Sequence, residues 1–167
     1  QIGSSICCDG VCLTITNILN DSFSVNIGEE TIKKTNISCW NKNIKINLEK
    51  SLKVGDEISG HFVYGHVDTT IELKKITKLQ NSWEYKFSLF SFAGDVDVKK
   101  FLAEKGSVAI NGISLTVANL SEKYFNISVI PHTFTNTNLS TLKENDRVNI
   151  EFDPLARYIV KTYNKAL

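Results

Sequence analysis

Methionine is absent from the 167 residues, so the chain is not expected to begin at a natural initiation codon. No apolar run approaches the ~18 residues that a membrane span needs. The opening QIGSSICCDG lacks the charged n-region and apolar h-region of a secretory signal. An excess of one charge sign is also missing. Nineteen basic residues against eighteen acidic ones leave +1, which speaks against a protein that coats nucleic acid or anionic membrane. These absences predict a cytoplasmic protein with neither nucleic acid nor a membrane as partner. With 42% apolar and 22% charged residues, the chain can bury a core and should not be disordered. Its length suits one ordinary domain or two small ones.

A second cysteine cluster is lacking too. Cys7, Cys8 and Cys12 lie close together, and Cys39 stands alone. Zinc sites usually pair two such clusters, so no metal site is expected. Cys7 and Cys8 are adjacent in a strand-like run and point to opposite faces. Reduced, mostly buried thiols are the expectation for Cys7, Cys8 and Cys39.

What is present is an internal repeat. Shifted by 102 positions, residues 5–49 lie over 107–151 without a gap, and 13 of the 45 positions are identical. Ser5, Gly10, Leu13, Thr14 and Asn17 recur as Ser107, Gly112, Leu115, Thr116 and Asn119. Thr35-Asn36, Asn47 and Glu49 recur as Thr137-Asn138, Asn149 and Glu151. The second copy is preceded by residues 60–106 and the first by only four, so by symmetry about 40 residues are expected upstream of Gln1.

Most segments read as short strands rich in β-branched and aromatic residues: 5–16, 22–27, 44–48, 60–76, 83–90, 107–120, 124–130 and 147–152. Asp9-Gly10 and Asn111-Gly112 sit inside apolar alternation and predict tight hairpins. Helices are predicted over 97–104, 30–36 and 132–139. A last one over 153–167 has Asp153 as cap, Pro154 in its first turn and an apolar stripe of Leu155, Tyr158, Ile159 and Tyr163. That stripe either packs on its own barrel or drives self-association. The pattern predicts an all-β fold of two small tandem β-barrels with short helices and a C-terminal helix. The divisions are 1–59 (opening strands missing), 60–152, and an oligomerisation helix at 153–167.

The runs SSICCDGVCLTIT, GHFVYGHVDTT, EKGSVAINGISLTV, VIPHTFTNTNL and VNIEFDPLARYIVK together resemble the riboflavin synthase alpha-chain family, in order and over nearly the whole chain. The resemblance implies Greek-key barrels and a trimer assembled by the C-terminal helix. It implies dismutation of two 6,7-dimethyl-8-ribityllumazine molecules to riboflavin and 5-amino-6-ribitylamino-uracil, a transferase reaction needing no metal or redox cofactor. The active site would lie between the N-terminal barrel of one subunit and the C-terminal barrel of the next. Association with lumazine synthase is a further implied partnership. Non-catalytic lumazine and flavin antenna proteins share the fold, so a carrier is the alternative to an enzyme.

Site residues follow from the same resemblance. Three catalytic candidates are His66, Cys12 and Ser5. An imidazole can move a proton near neutral pH. Cys12 is Ser114 in the second copy, and a thiol in one copy only suggests a chemical role there, as nucleophile or proton donor. Substrate contacts are expected at Cys12, Leu13, Thr14, Glu30 and Thr31 in the first copy. In the second they fall at Gly65, His66, Val67, Lys105, Ser114, Leu115, Thr116, Ser128, Ile130, Pro131 and Thr133. His61 and His66, five apart in a presumed strand, face opposite sides, so at most one enters a given pocket. His132 stands beside Pro131 at the mouth of the second pocket. Four features depart from the family pattern, among them Gly28-Glu29 in place of a commoner apolar-small or Met-Pro pair beside the first pocket. Asp9 replaces a usual Asn, Tyr64 replaces a smaller Ser, and the family's opening Met-Phe-Thr-Gly-Ile-Val is not in this chain.

Overall fold

A computed structural model describes residues 1–163. The first repeat forms β1 (Ser5–Cys8), β2 (Val11–Leu19), β3 (Ser22–Val25), α1 (Glu29–Lys34), a 3-10 turn at Asn36–Cys39 and β4 (Leu48–Lys50). Next come β5 (Thr69–Lys78), β6 (Trp83–Ser88) and a 3-10 turn at Val98–Phe101. The second repeat forms β7 (Ser107–Ile110), β8 (Ile113–Leu120), β9 (Tyr124–Val129), α2 (Pro131–Asn136), a 3-10 turn at Asn138–Thr141 and β10 (Arg147–Phe152). α3 (Pro154–Tyr163) follows. Element for element, the copies superpose on the 102-residue shift.

The copies differ in closure. The second joins β5 and β6 in a closed barrel of order β10-β5-β6-β9-β8-β7, whereas the first is a four-stranded sheet of order β3-β2-β1-β4. The barrel buries a continuous core in which Ile71, Leu73, Tyr85, Phe87, Phe125 and Ile127 have no exposure. Each such large side chain contributes ~1.5–3 kcal/mol by leaving water. The Tyr85 hydroxyl donates to Leu139 O at 2.8 Å, and burial pushes its pKa up to about 12. Of its apolar residues the first repeat fully buries Cys8, Val11, Leu13 and Ile37, with Phe23, Val25 and Trp40 half-buried around them.

Both hairpins form as their sequences require. Asp9, Gly10, Asn111 and Gly112 have φ of 47°, 79°, 45° and 81°, the left-handed region that Asn, Asp and Gly tolerate best. The two turns touch. A Cβ on Gly10 would lie 2.7 Å from Gly112 N, and one on Gly112 would lie 2.9 Å from Gly10 N, so only glycine allows the approach.

Around this contact runs a buried amide belt, reciprocal between the copies. Asn36 N donates to Asn149 Oδ1 and Asn138 N to Asn47 Oδ1, both at 2.7 Å. Asn47 Nδ2 donates to Asn111 O at 3.0 Å, and Asn149 Nδ2 to Asp9 O at 2.8 Å. Asn47 N donates to Asp9 Oδ1 at 2.8 Å, and Asn149 N to Asn111 Oδ1 at 2.9 Å. Buried amides left unpaired would each cost ~1–3 kcal/mol. The belt therefore fixes how one copy sits on the other. It is asymmetric at Asp9, which also accepts from Asn138 Nδ2 at 2.9 Å and whose carboxyl burial pushes up to about 7.

Several boundaries differ from expectation. The run 60–76 is a strand only from Thr69, because Gly60 and Gly65 adopt φ of 85° and 76° and break the pleat. The 44–48 run pairs only at Leu48–Lys50. The helix expected at 97–104 is one 3-10 turn. The predicted 30–36 and 132–139 helices each split into a six-residue α-helix and a 3-10 turn. Thr35 and Thr137 interrupt them in extended conformation, their hydroxyls accepting from Ile37 N and Leu139 N. Of the 153–167 helix, residues 164–167 lie outside the described residues. Leu155, Tyr158, Ile159 and Tyr163 are all exposed rather than packed on the barrel.

Candidate functional site

Residues 60–68 form a strap rather than a strand, and the strap brings the candidate residues together. It contains Gly-His twice, at 60–61 and 65–66. Each glycine presses on the same position of a different repeat. A Cβ on Gly65 would sit 2.7 Å from Cys12 Cβ, and one on Gly60 would run into Ser114 Oγ. Cys12 N donates to Gly65 O at 2.8 Å. Cys12 and Ser114 are equivalent by the repeat, so each copy of the site is covered by its own Gly-His.

Three groups hold the strap. The buried Glu151 carboxylate accepts from Tyr64 N at 2.8 Å and from His66 N at 2.9 Å. Arg157 on α3 donates to His66 O at 2.9 Å and to Asp68 Oδ2 at 2.8 Å. Asp68 also accepts from Phe152 N at 2.8 Å, and burial nonetheless raises its carboxyl above the ordinary range. The Tyr64 and His66 rings stack with centroids 6.1 Å apart.

In the first copy, a cleft of about 180 Å³ is lined by Cys12, Glu30, Thr31, Gly65, His66 and Val67, with Val11, Lys34 and Thr35 completing it. Its walls combine a thiol, an imidazole, a carboxylate and hydroxyls, a set able to move protons and hold a polyol. Glu30 pairs with Lys34 at 3.1 Å, but both are exposed, a pairing worth ~0–1 kcal/mol that leaves the carboxylate free to turn. Cys12 also borders a second groove of about 470 Å³ with Ser5, Cys7, Glu49, His61 and Tyr64. Ser5 thus shares one face of the sheet with Thr14, its cross-strand partner.

In the second copy, His61 Nδ1 lies 2.7 Å from Ser114 Oγ. Burial lowers the pKa of His61, which favours the neutral ring, and its Nε2 has no partner among the described residues. Lys105 is exposed, with φ of 64° and its N–H donating to Val117 O at 2.8 Å. Its repeat equivalent is Gly3, at φ 85°. A lysine held where glycine belongs stores strain, of a kind concentrated at functional sites. Thr116 lies opposite Ser107 on β7. Ile130, Pro131 and Thr133 open α2, where Phe134 stacks on Trp83 at 3.9 Å. Exposed His132 stands where the first copy has Glu30, and exposed Ser128 lies opposite Glu84. Leu13 and Leu115 turn into the cores, so only their backbones can meet a ligand.

Sequence reasoning missed the strap's partners. Glu151 was visible only as the recurrence of Glu49. The His61–Ser114 contact left no local signal, because it depends on two glycine turns. Among the described residues, no three or more His, Cys, Asp or Glu side chains are grouped to hold a metal ion. No helix among them is long and apolar enough to cross a membrane.

Two similar β-repeats crossed by a glycine-histidine strap, with a small polar cleft beneath it in the first, define a ligand-binding protein of duplicated β-barrel-like fold. The family profile described as the lumazine binding domain matches residues 1–51 and 64–153. The chain is 36% identical over 166 residues to the riboflavin synthase of Bacillus subtilis, covering 99% of this chain and 75% of that one. It is 39% identical to that of Brucella abortus, covering 96% and 80%, and 35% to that of Escherichia coli, covering 100% and 76%. It belongs to the riboflavin synthase alpha-chain family. In fold it is similar to LumP complexed with 6,7-dimethyl-8-(1'-D-ribityl) lumazine (TM-score 0.79, 22% identity, 90% and 78% of the two chains). LumP complexed with riboflavin gives a TM-score of 0.81 at 21% identity, over 91% and 79%.

Proposed function

We propose that this chain binds 6,7-dimethyl-8-ribityllumazine at both copies of the site and acts as a riboflavin synthase. One observation carries the reading: the two copies share a glycine-histidine cover but are unequal in chemistry. Cys12 with His66 stands in one, and Ser114 with His61 in the other. Dismutation asks for that inequality, since two identical substrates must play different parts. One lumazine loses a proton from a ring methyl, a task for a histidine. The other is activated by a nucleophile, a task for Cys12. A four-carbon unit then passes between the rings, leaving riboflavin and 5-amino-6-ribitylamino-uracil. Holding two substrates in attack geometry supplies ~7–11 kcal/mol of the barrier.

In this reading, residues 1–59 and 60–152 are the two ligand-binding units, and 153–167 assemble a trimer. The exposed stripe on α3 supports the last point. The first cleft is lined by first-repeat and strap residues alone, which supports a second ligand arriving from another subunit.

That same enclosure favours a second reading, a carrier that holds one ligand and does no chemistry. Riboflavin absorbance, followed on mixing chain with 6,7-dimethyl-8-ribityllumazine, separates the two. Riboflavin forming at a rate that climbs steeply with chain concentration supports the enzyme. Saturable binding without riboflavin supports the carrier, and neither outcome overturns both. If the enzyme reading holds, His66→Gln lowers turnover by ~10²-fold or more while binding changes little.

A further inference from the structure

The first hairpin sets two thiols opposite each other. Cys7 and Cys12 are direct partners in the β1–β2 register. Cys8 and Val11 close the two-residue turn, so Cys7–Cys12 is the next, non-hydrogen-bonded pair. Accordingly, Cys12 spends its N–H on Gly65 O outside the sheet. Such partners lie ~4.5 Å apart at Cα with side chains on one face, inside the ~4.4–6.8 Å that a disulfide spans. Both are free thiols, and both line the groove of about 470 Å³. The equivalent pair in the second repeat is Ala109 and Ser114, so only one copy carries the thiols.

We propose that Cys7 and Cys12 form a reversible disulfide, driven by a peroxide, that closes the first ligand site. The bond itself needs no assumption about ligand; its effect on binding rests on the function proposed above.

Cys12 is the exposed thiol and reacts first. Its thiolate attacks one peroxide oxygen, the O–O bond breaks, and hydroxide leaves to become water. Cys12 is now a sulfenic acid. The Cys7 sulfur attacks the Cys12 sulfur, the S–O bond breaks, and the departing hydroxide becomes a second water with the Cys7 proton. Two thiols lose two electrons, and one peroxide becomes two waters.

The order of events is built in. Burial and the facing Glu49 carboxylate push the Cys7 thiol well above the ordinary range, so it does not meet peroxide as a thiolate. Glu49 is the β4 partner of Cys7 and hydrogen-bonds its thiol. Its Oε2 is buried with no partner among the described residues, and burial raises the carboxylate's affinity for a proton. It takes the Cys7 proton as the sulfur attacks and passes it to the departing hydroxide. The link draws the Cys12 sulfur toward Cys7 and out of the cleft shared with His66.

The test treats the 167-residue chain with hydrogen peroxide and digests it with a protease that cuts before aspartate. Cleavage before Asp9 and Asp21 separates Cys7 from Cys12. The expected result is one joined peptide lighter by two hydrogens, parted by dithiothreitol, with fragmentation placing the bond on Cys7 rather than Cys8. In Cys7→Ala the joined peptide disappears, and Cys12 instead gains oxygens that dithiothreitol does not fully remove. Titration of 6,7-dimethyl-8-ribityllumazine should weaken by about tenfold or more after peroxide and recover on reduction. Absence of the joined peptide, or its survival in Cys7→Ala, overturns the disulfide whatever the ligand does. A joined peptide with unchanged binding overturns closure of the site. A joined peptide on a chain that binds no lumazine even when reduced upholds the bond and sinks the functional reading alone.

Discussion

The two repeats share sequence pattern, hairpin geometry and element order, yet one is a closed six-stranded barrel and the other an open four-stranded sheet. In the barrel, the large apolar side chains are wholly enclosed. In the sheet, their equivalents are half-exposed, as Phe125 and Phe23 illustrate. The sheet instead holds the unusual chemistry: the thiols at 7 and 12, the carboxyl at 9 and the orphaned Glu49 oxygen. The difference lies in chemistry as well as in packing: the thiols, the buried carboxyl and the orphaned oxygen all belong to one copy, and the amide belt joins it to the other.

The largest expected effect breaks the comparison at its core. Phe125→Ala should cost ~3–5 kcal/mol, whereas Phe23→Ala, with less to lose, should cost under ~2 kcal/mol. Urea denaturation of both variants checks this, and equal costs would mean that the sheet is packed as tightly as the barrel.

The next effect concerns the belt. Asp9 has a folded-state pKa raised from 3.8 to about 7. The protonated acid is therefore the form that suits the fold. Its contribution is fully present below the unfolded value and is lost as pH rises through about 7. Asp9→Asn, which restores the match to Asn111, should stabilise the chain by ~2 kcal/mol at pH 8 and by much less at pH 4. Denaturation midpoints across that range measure it, and a pH-independent gain would show that the Asp9 pKa is the same in the folded and unfolded chain.

The smallest effect has two opposed signs. Lys105→Gly should raise stability by ~0.5–1 kcal/mol by relieving the left-handed strain, while weakening lumazine binding to the second copy. A gain in both would remove Lys105 from the ligand site.

Much of this was legible beforehand. The duplication, both glycine hairpins and the chemical inequality of positions 12 and 114 can be read from spacing and identity, because tight turns constrain residue type at each position. The strap was not legible. Phe62, Val63, Tyr64 and Val67 look like strand residues, and alternation placed His61 and His66 on opposite faces. Two left-handed glycines and the Glu151 carboxylate override that pattern, sending each histidine to a different repeat. The belt was visible only as recurring asparagines at 36, 47, 138 and 149. A search for apolar periodicity passes over buried amides, since nothing in their immediate neighbours marks them as interior.

The reciprocity of that belt bears on how such a chain arises. Most bonds from one half to its mate have a counterpart running back, such as Asn36 to Asn149 and Asn138 to Asn47. This is the self-complementary contact of a twofold dimer, one that two identical short polypeptides can make without being joined. In such an ancestor, every mutation is carried twice. After fusion, a residue can change on one side alone, so a carboxyl can face an amide at 9 and 111, and a thiol can stand where its mate keeps a hydroxyl. Joining two such units end to end is what lets a symmetric contact acquire a left and a right hand.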